Sequence, residues 1–391
     1  MNHKQLKFSC IFDFLKSFSL TSAIWPTFLV LRGFSLIDVG ISESVFHIVS
    51  MLGEIPTGMI SDLYGRKFSR MLSQILNAAG TLLLLFANAK SLVYLAFALS
   101  ALSYNLESGT DSAYIYDLLS ETSEEHRFAK IQGIREVIRN IALLVGGVIG
   151  GQIANISYES AYVLEMVIII ISMLVLGKMK EIKNQNYQQQ NVLQSVIGQF
   201  TSSYELVKKD HQILYLVMSY SLFSATETTC HYYLTNYWKS IGIDISFISY
   251  FLSMENIAGL IAGVIAYRLI KRLPRKKLLL YLPAGIVIAS AGIPFFPISV
   301  VSICVMSFFE TISYIAISTF LNELVDSAHR ATLLSLLSMA FSIVMIIYFP
   351  IVGTIGEWFS LKEAFMFLTL FNAVIYLVYA KTMNKKLAAA D

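Results

Sequence analysis

The chain has 391 residues, of which 56% are hydrophobic and 14% are charged, and its mean hydropathy is +0.64. This composition excludes an ordinary soluble domain and indicates a membrane protein with several spans. The formal net charge of only +3 at pH 7 gives no reason to expect nucleic acid as a partner.

Apolar runs of about 20 residues, the length of a helix that crosses a bilayer, recur along the whole chain. We predict twelve such spans. The first carries Asp13 and Lys16 and is not followed by a small-residue cleavage site, so we interpret it as a retained span and not as a signal peptide. The spans cover residues 8–31, 37–60, 69–89, 92–118, 128–155, 158–177, 213–237, 244–269, 278–295, 298–323, 331–355 and 361–381.

Lysine and arginine are distributed unequally among the predicted loops. Placing both termini and the even-numbered loops in the cytoplasm puts 22 of the 29 basic residues on that side. Because basic residues resist translocation, this asymmetry predicts the orientation of the chain. We therefore expect a multi-pass protein of the plasma or inner cell membrane with both termini in the cytoplasm.

Two short segments repeat weakly at about half the chain length. Residues 62–67 follow the second span and align with residues 271–276 after the eighth, an offset of 209 residues. The repeat predicts six-helix bundles at residues 1–180 and 211–391. Residues 181–210 are interpreted as a cytoplasmic linker, because they include a stretch rich in Gln and Asn. Apolar residues at helical spacing within the linker predict an amphipathic helix, with a plain tether as the alternative.

A polar and charged loop separates the second span from the third. Its pattern is Gly, three residues, Asp, two residues and then Gly-Arg-Lys, filled here by Gly58, Asp62, Gly65, Arg66 and Lys67. This pattern resembles the cytoplasmic loop between helices 2 and 3 of major facilitator superfamily transporters. An ordinary loop enriched in basic residues is the alternative interpretation.

The resemblance implies an all-α membrane protein with twelve transmembrane helices in two pseudo-symmetric six-helix bundles, which works by alternating access. It also implies that the loop is a conformational latch. In such a latch Gly58 lets backbones approach closely, while Asp62 and Arg66 bond helix ends of the other half. We expect a monomer in the lipid bilayer, with no cofactor and no metal.

The fifth span carries a second pattern, in which glycines recur three and four residues apart. It resembles the glycine motif of the antiporter branches of the superfamily, but Ala142 replaces a Gly and Gly147 replaces the Pro. Close packing of membrane helices is the alternative explanation of such spacing. The positions in this frame are Gly133, Ala142, Gly146, Gly147, Gly150 and Gly151.

Ionisable residues inside the spans must face protein or water, since each costs about 3 kcal/mol in lipid. Glu107 and Asp111 lie one turn apart on the fourth span, and Arg135 and Arg139 lie one turn apart on the fifth. Counting from the loop between these spans places Asp111 level with Arg135, and Glu107 level with Arg139. We predict two ion pairs that fix the helix packing, with substrate contact as the alternative.

Glu227, His231 and Glu310 have no comparable partner in the sequence. Glu227 and His231 share a face of the seventh span, and Glu310 lies near the middle of the tenth. Because carboxyl and imidazole groups at this depth can bind and release protons, we predict a proton-coupling group. Some multidrug exporters of the superfamily also carry essential acids on these two helices. A structural role for each residue is the alternative.

Aromatic and acidic side chains are predicted to line a central substrate cavity. Such a lining suits a lipophilic cation through cation–π contacts, although membrane helices are rich in aromatic residues in any case. The predicted cavity residues are Trp25, Tyr104, Glu107, Asp111, Tyr233 and Phe309.

Enzyme signatures are missing from the sequence, which has no P-loop, Gly-x-Ser-x-Gly elbow, His-Glu-x-x-His or dinucleotide motif. We therefore predict a transporter and not an enzyme. The expected activity is proton-coupled export of drug-like or metabolite molecules. Proton-coupled nutrient symport is the alternative, and a membrane-embedded receptor or enzyme is a remote one.

Overall fold

The structure is a computed structural model that describes residues 2–182, 198, 201–202, 205–208, 211–325 and 330–387. These residues are almost entirely helical, and the predicted amphipathic helix of the linker lies largely outside them. A short 3₁₀ turn spans Glu125–Arg127. The α-helices are α1 (Asn2–Ser17), α2 (Trp25–Leu31), α3 (Leu36–Tyr64), α4 (Arg66–Phe86), α5 (Lys90–Glu107), α6 (Thr110–Ser120), α7 (Phe128–Ala154), α8 (Tyr158–Gly177), α9 (His211–Ser240), α10 (Ile245–Arg272), α11 (Arg275–Ser290), α12 (Ile298–Leu324), α13 (Arg330–Trp358) and α14 (Leu361–Leu387).

Each of the twelve predicted spans corresponds to one helix or to a pair of helices. Seven of the described helices are long and apolar enough to cross a membrane, and the others are shorter or richer in polar side chains. The chain is thus an all-α membrane protein, as the sequence predicted.

Two of the predicted spans are interrupted. The first divides into α1 and α2 around a non-helical segment, residues 18–24. Pro26 lies in the first turn of α2, where its missing N–H needs no helical acceptor, and it disfavours continuation of a helix from before. The fourth span divides into α5 and α6 at Gly109, whose φ of +75° is a left-handed conformation that glycine adopts readily.

The described residues group into two compact units. The first lies within Met1–Phe28, Val45–Ile197 and Asp244–Ser249, and the second within Leu29–Ser44, Gly198–Ile243 and Tyr250–Asp391. Residues 29–44 therefore group with most of the C-terminal half of the chain, and residues 244–249 group with most of the N-terminal half. The division into bundles 1–180 and 211–391 stays a prediction.

Apolar side chains form separate cores in the two units and also cover much of the outside. In the first unit Phe12, Tyr114 and Leu176 belong to one buried cluster. In the second, Val217 and Phe320 belong to another. Val264, Ile288 and Leu174 are 82%, 74% and 65% exposed. A surface of this kind matches the lipid that surrounds a transmembrane helix.

The orientation predicts which loops can be labelled from outside. In a variant without Cys10, Cys230 and Cys304, a cysteine at Ile156, which is 89% exposed, should react with an impermeant maleimide on intact cells. A cysteine at Thr122 should react only after the cells are opened, because this loop is predicted to be cytoplasmic. The reverse pattern would overturn the orientation.

Candidate functional site

A buried ion network lies in the first unit around Asp13 of α1. Its carboxylate accepts hydrogen bonds from Arg70 Nη2 at 2.9 Å and from Arg135 Nε at 2.6 Å. Arg70 also contacts Glu107 Oε1 at 2.8 Å. Both guanidinium groups are fully buried, so their charges are balanced by neighbouring carboxylates and not by water. The network joins α1, α4, α5 and α7.

Of the two predicted ion pairs, Asp111 with Arg135 is found in this network and Glu107 with Arg139 is not. Glu107 contacts Arg70 and lies 3.5 Å from Lys16, so its predicted pair with Arg139 is wrong. Arg139 instead binds Asp111, whose carboxylate is also 3.6 Å from Arg135 Nη2. The physical reason is the break between α5 and α6, because the one-turn spacing of the two acids assumed a continuous helix.

One donor and one acceptor of the network have no hydrogen-bond partner among the described residues. They are Arg70 Nη1 and Glu107 Oε2, and both atoms are inaccessible to solvent. Unpaired buried groups of this kind are uncommon in native proteins and each is costly. The network therefore combines several short ion pairs with one donor and one acceptor that have no hydrogen-bond partner among the described residues.

The loop motif lies at the N-terminus of α4 and contacts residues of its own unit. Arg66 binds Asp62 at 2.8 Å and Asp117 of α6 at 3.2 Å. The carboxylate of Glu181 accepts from the backbone N–H of Lys67 at 2.9 Å, which places a negative charge at the positive end of α4. Gly65, with φ of +112°, lies directly against Glu181, so a side chain at this position would collide with that carboxylate.

Two expectations for the loop motif differ from the structure. Arg66 binds Asp62 and Asp117 of its own unit, whereas the resemblance implied a contact with helix ends of the other half. Gly58 has no atom within 4 Å of the place where a Cβ would lie, so it does not permit a close backbone approach. Glu181 follows α8 and accepts hydrogen bonds from the first backbone N–H groups of α4. It was not predicted, since nothing in its local sequence relates it to α4.

A cluster of ionisable groups lies in the second unit around His231 of α9. The imidazole Nδ1 is 2.8 Å from one carboxylate oxygen of Glu255 on α10 and 3.0 Å from the other. The Glu255 carboxyl also interacts directly with that of Glu227. Glu43 of α3 interacts electrostatically with His231. Four ionisable side chains from three helices are thus brought together.

The sequence placed Glu227 and His231 on one helix face but did not identify their partners. Glu43 and Glu255 are acids inside other spans and are only 7% and 4% exposed. Their depth in the membrane was the available signal. Their proximity to His231 depends on helix packing, which sequence spacing on one helix does not contain.

Glu310 of α12 has its own hydrogen-bond partners. Its Oε1 accepts from Tyr220 Oη at 3.0 Å and from Ser224 Oγ at 2.8 Å, and both donors lie on α9. A small pocket opens at these three side chains and is lined further by apolar residues such as Leu282. Glu310 acts electrostatically on Glu227, but no direct contact links it to His231.

The predicted cavity aromatics occupy different environments. Tyr104 is 59% exposed, whereas Tyr233 is completely buried and donates its hydroxyl to the Phe349 carbonyl at 2.9 Å. Trp25 is 9% exposed and packs edge-on against Phe97, with ring centroids 4.9 Å apart. Tyr104 is therefore largely exposed and also contacts the ring of Phe46, with centroids 6.0 Å apart, while Trp25 and Tyr233 are buried in packing.

Phe309 also has a packing partner. Its ring meets that of Phe308 edge-on, with centroids 5.7 Å apart, and lies against the backbone of Gly285 on α11. A methyl group on Gly285 would come within 2.6 Å of the Phe309 ring. The two helices therefore approach closely at this glycine.

Known proteins resemble this chain over nearly its whole length. The model of the Major Facilitator Superfamily matches residues 8–303 and 233–389. The MFS-type transporter YxaM of Bacillus subtilis (strain 168) is 23% identical in an alignment of 378 residues that covers 92% of this chain and 90% of YxaM.

Solved structures share the fold at low sequence identity. The nucleoside transporter NupG aligns with a TM-score of 0.81 at 14% identity, over 98% of this chain and 99% of NupG. A D-xylose-proton symporter aligns with a TM-score of 0.70 at 12% identity, over 97% and 96% of the two chains. The chain belongs to the Major Facilitator Superfamily and is a multi-pass membrane transporter of a small molecule.

Proposed function

We propose that the chain is a proton-coupled secondary transporter that works by alternating access and exports its substrate. The contact between His231 and Glu255, at 2.8 Å inside the second unit, is the observation that supports coupling best. An imidazole changes charge close to neutral pH, so binding of one proton changes the strength of this pair. The electrostatic interaction between Glu255 and Glu227 means that a proton on one carboxyl affects the other.

Glu310 is proposed as a further proton-binding group. Its carboxyl accepts from Tyr220 and Ser224 and lines a small pocket of the second unit. It acts electrostatically on Glu227, so a proton on one carboxyl affects the other. Glu227, Glu310 and His231 thus form the proposed coupling group, with Glu255 and Glu43 as the acids that tune it.

Export is proposed from the glycine pattern of α7, and the substrate class from the chemistry of the site. The Glu310 carboxylate and the neighbouring ring of Tyr220, both in the second unit, favour a lipophilic cation. We further propose that the protein works as a monomer in the plasma or inner membrane, with both termini in the cytoplasm.

The loop of Gly58, Asp62, Gly65, Arg66 and Lys67 is proposed as the conformational latch.

Proton-coupled import is the second candidate. It is favoured by the similarity in fold to the D-xylose-proton symporter, a protein named for symport of a sugar with protons. Direction distinguishes the two candidates. Everted vesicles with an acidic interior should accumulate ethidium if the protein exports lipophilic cations. Accumulation of xylose or uridine by intact cells, with no ethidium transport by the vesicles, would replace the exporter with the importer.

A further inference from the structure

The break between α1 and α2 is held by a carboxylate from a helix outside the proposed site. Glu165 of α8 accepts a hydrogen bond from the backbone N–H of Leu20 at 2.6 Å. The backbone of Thr21 and the side chain of Ser19 also bond this carboxylate. Glu165 is only 7% exposed, and none of the ion pairs described above includes it. The proposed coupling mechanism therefore leaves the role of Glu165 open.

The chemistry of the break explains the need for an acid at this position. Residues 18–24 are not helical, and the backbone N–H groups of Leu20 and Thr21 have no backbone acceptor among the described residues, whereas those of Phe18, Ser19 and Ile24 do. Inside a membrane such donors must be satisfied by protein, since lipid offers no hydrogen bonds. One carboxylate can accept several bonds at once, and Glu165 does so for adjacent residues of the break.

The break also packs against α7 at two glycines, Gly146 and Gly150. Gly146 lies so close that an added Cβ would be 2.9 Å from both the backbone nitrogen and the carbonyl oxygen of Ser19. A Cβ on Gly150 would collide with the carbonyl of Leu20. Two members of the glycine pattern therefore admit the non-helical segment. This contact gives Gly146 and Gly150 a packing role beside the one that the antiporter resemblance implies.

The location of the break suits a hinge. Before it, α1 carries Asp13 of the ion network, and after it, α2 carries Trp25. The chain passes from the first compact unit to the second between Phe28 and Leu29, a few residues beyond the break. The break itself belongs to the first unit, and non-helical segments close to such a boundary are where backbone angles change most easily.

We propose that Glu165 is a positioning residue that keeps residues 18–24 non-helical, so that α1 and α2 move as separate pieces during transport. The carboxylate holds the backbone donors of the hinge, and the glycines of α7 give it room. This role rests on the chain being a transporter, but it does not require proton coupling. Failure of the coupling proposal would leave it untouched.

Hydrogen–deuterium exchange of the purified protein in nanodiscs tests the inference. Glu165→Leu keeps much of the side-chain volume but removes the acceptor, so exchange of residues 17–25 should rise by at least about tenfold. Exchange in α7 and the melting temperature should change little. Glu165→Gln retains one acceptor oxygen and should have a smaller effect. Glu159→Gln removes an exposed acid from the same helix and should have none.

A second measurement separates positioning from a merely structural role. Double electron–electron resonance measures the distances between spin labels at positions 32 and 156. These distances report movement of the chain beyond α2. In folded Glu165→Leu protein the distance distribution should shift, and it should be normal in Glu159→Gln. If Glu165→Leu does not fold, the same comparison is made with Glu165→Gln. Normal exchange at residues 17–25 together with a normal distance distribution would overturn the hinge.

The glycines supply an independent prediction with a matched control. Gly150→Ala should displace the hinge, because its methyl group would collide with the Leu20 carbonyl. Gly147→Ala adds the same methyl group where no atom lies within 4 Å and should be tolerated. Exchange at residues 17–25 should therefore change in the first variant only. Equal exchange in both variants would show that α7 does not restrain the break.

Discussion

Asp13→Ala should leave little folded protein. The substitution strands the guanidinium groups of Arg70 and Arg135, both of which are fully buried and bind this carboxylate. Removing one partner of a buried ion pair costs about 3–5 kcal/mol, a large part of the stability of a typical domain. Size-exclusion chromatography with fluorescence detection, after heating in detergent, measures the surviving fraction. A melting temperature like that of the wild type would contradict the network.

The double variant Asp13→Ala with Arg135→Ala tests the pairing itself. It removes one positive and one negative charge, so part of the loss should be recovered, and the two effects should be far from additive. Glu124 and Arg127 provide the control, because this pair has a 2.6 Å contact but is about one third exposed. Its coupling should be about 1 kcal/mol or less. Strictly additive losses at Asp13 and Arg135 would mean that they do not stabilise each other.

Glu227→Gln and Glu310→Gln should abolish gradient-driven transport while leaving the protein folded. Glutamine keeps the shape and much of the hydrogen bonding, but it does not titrate, so the coupling step loses its proton. We expect the driven rate to fall by at least about tenfold and substrate-exchange transport without a gradient to persist. Glu363→Gln, at an exposed acid bonded to Ser360, is the matched control. A normal rate and pH dependence in the double Gln variant would eliminate the two residues as proton carriers.

His231→Asn should have a milder effect than loss of Glu255. Asparagine can still bond the Glu255 carboxylate, so the pH dependence should shift while transport continues. Glu255→Gln alters the contacts of both His231 and Glu227 and should slow transport more strongly. Transport rates from pH 5.5 to 8.5 in proteoliposomes measure the difference. Identical profiles for the wild type and both variants would exclude the pair from coupling.

The helices were more predictable from the sequence than their interruptions. Long apolar runs identify spans because lipid imposes a length and excludes most charges. The break at Gly109 depends on a single positive φ, and the break at residues 18–24 depends on acceptors contributed by α8. A hydropathy pattern reports burial in lipid but contains no information about such partners.

The same limit explains the partly predicted site. Depth in the membrane singled out Asp111, Arg135 and Arg139, and these residues do lie together. Depth in the membrane did not reveal that Arg70, close to the loop motif, belongs to the network. Arg70 pairs with Glu107, which had been predicted to pair with Arg139. Arg70 lies at the start of the predicted span 69–89, where the distribution of basic residues predicts a cytoplasmic charge. Three-dimensional packing, and not spacing along one helix, selected the pairs.

Measurement of proton movement driven by substrate tests proton-coupled export most directly. Purified protein is reconstituted into proteoliposomes that contain a pH-sensitive dye, and an ethidium gradient is applied with no initial pH gradient. Proton-coupled export predicts that ethidium flux moves protons in the opposite direction. The double variant Glu227→Gln with Glu255→Gln should abolish this movement. Ethidium flux at the full rate with no pH change, in the wild type and the double variant alike, would contradict it.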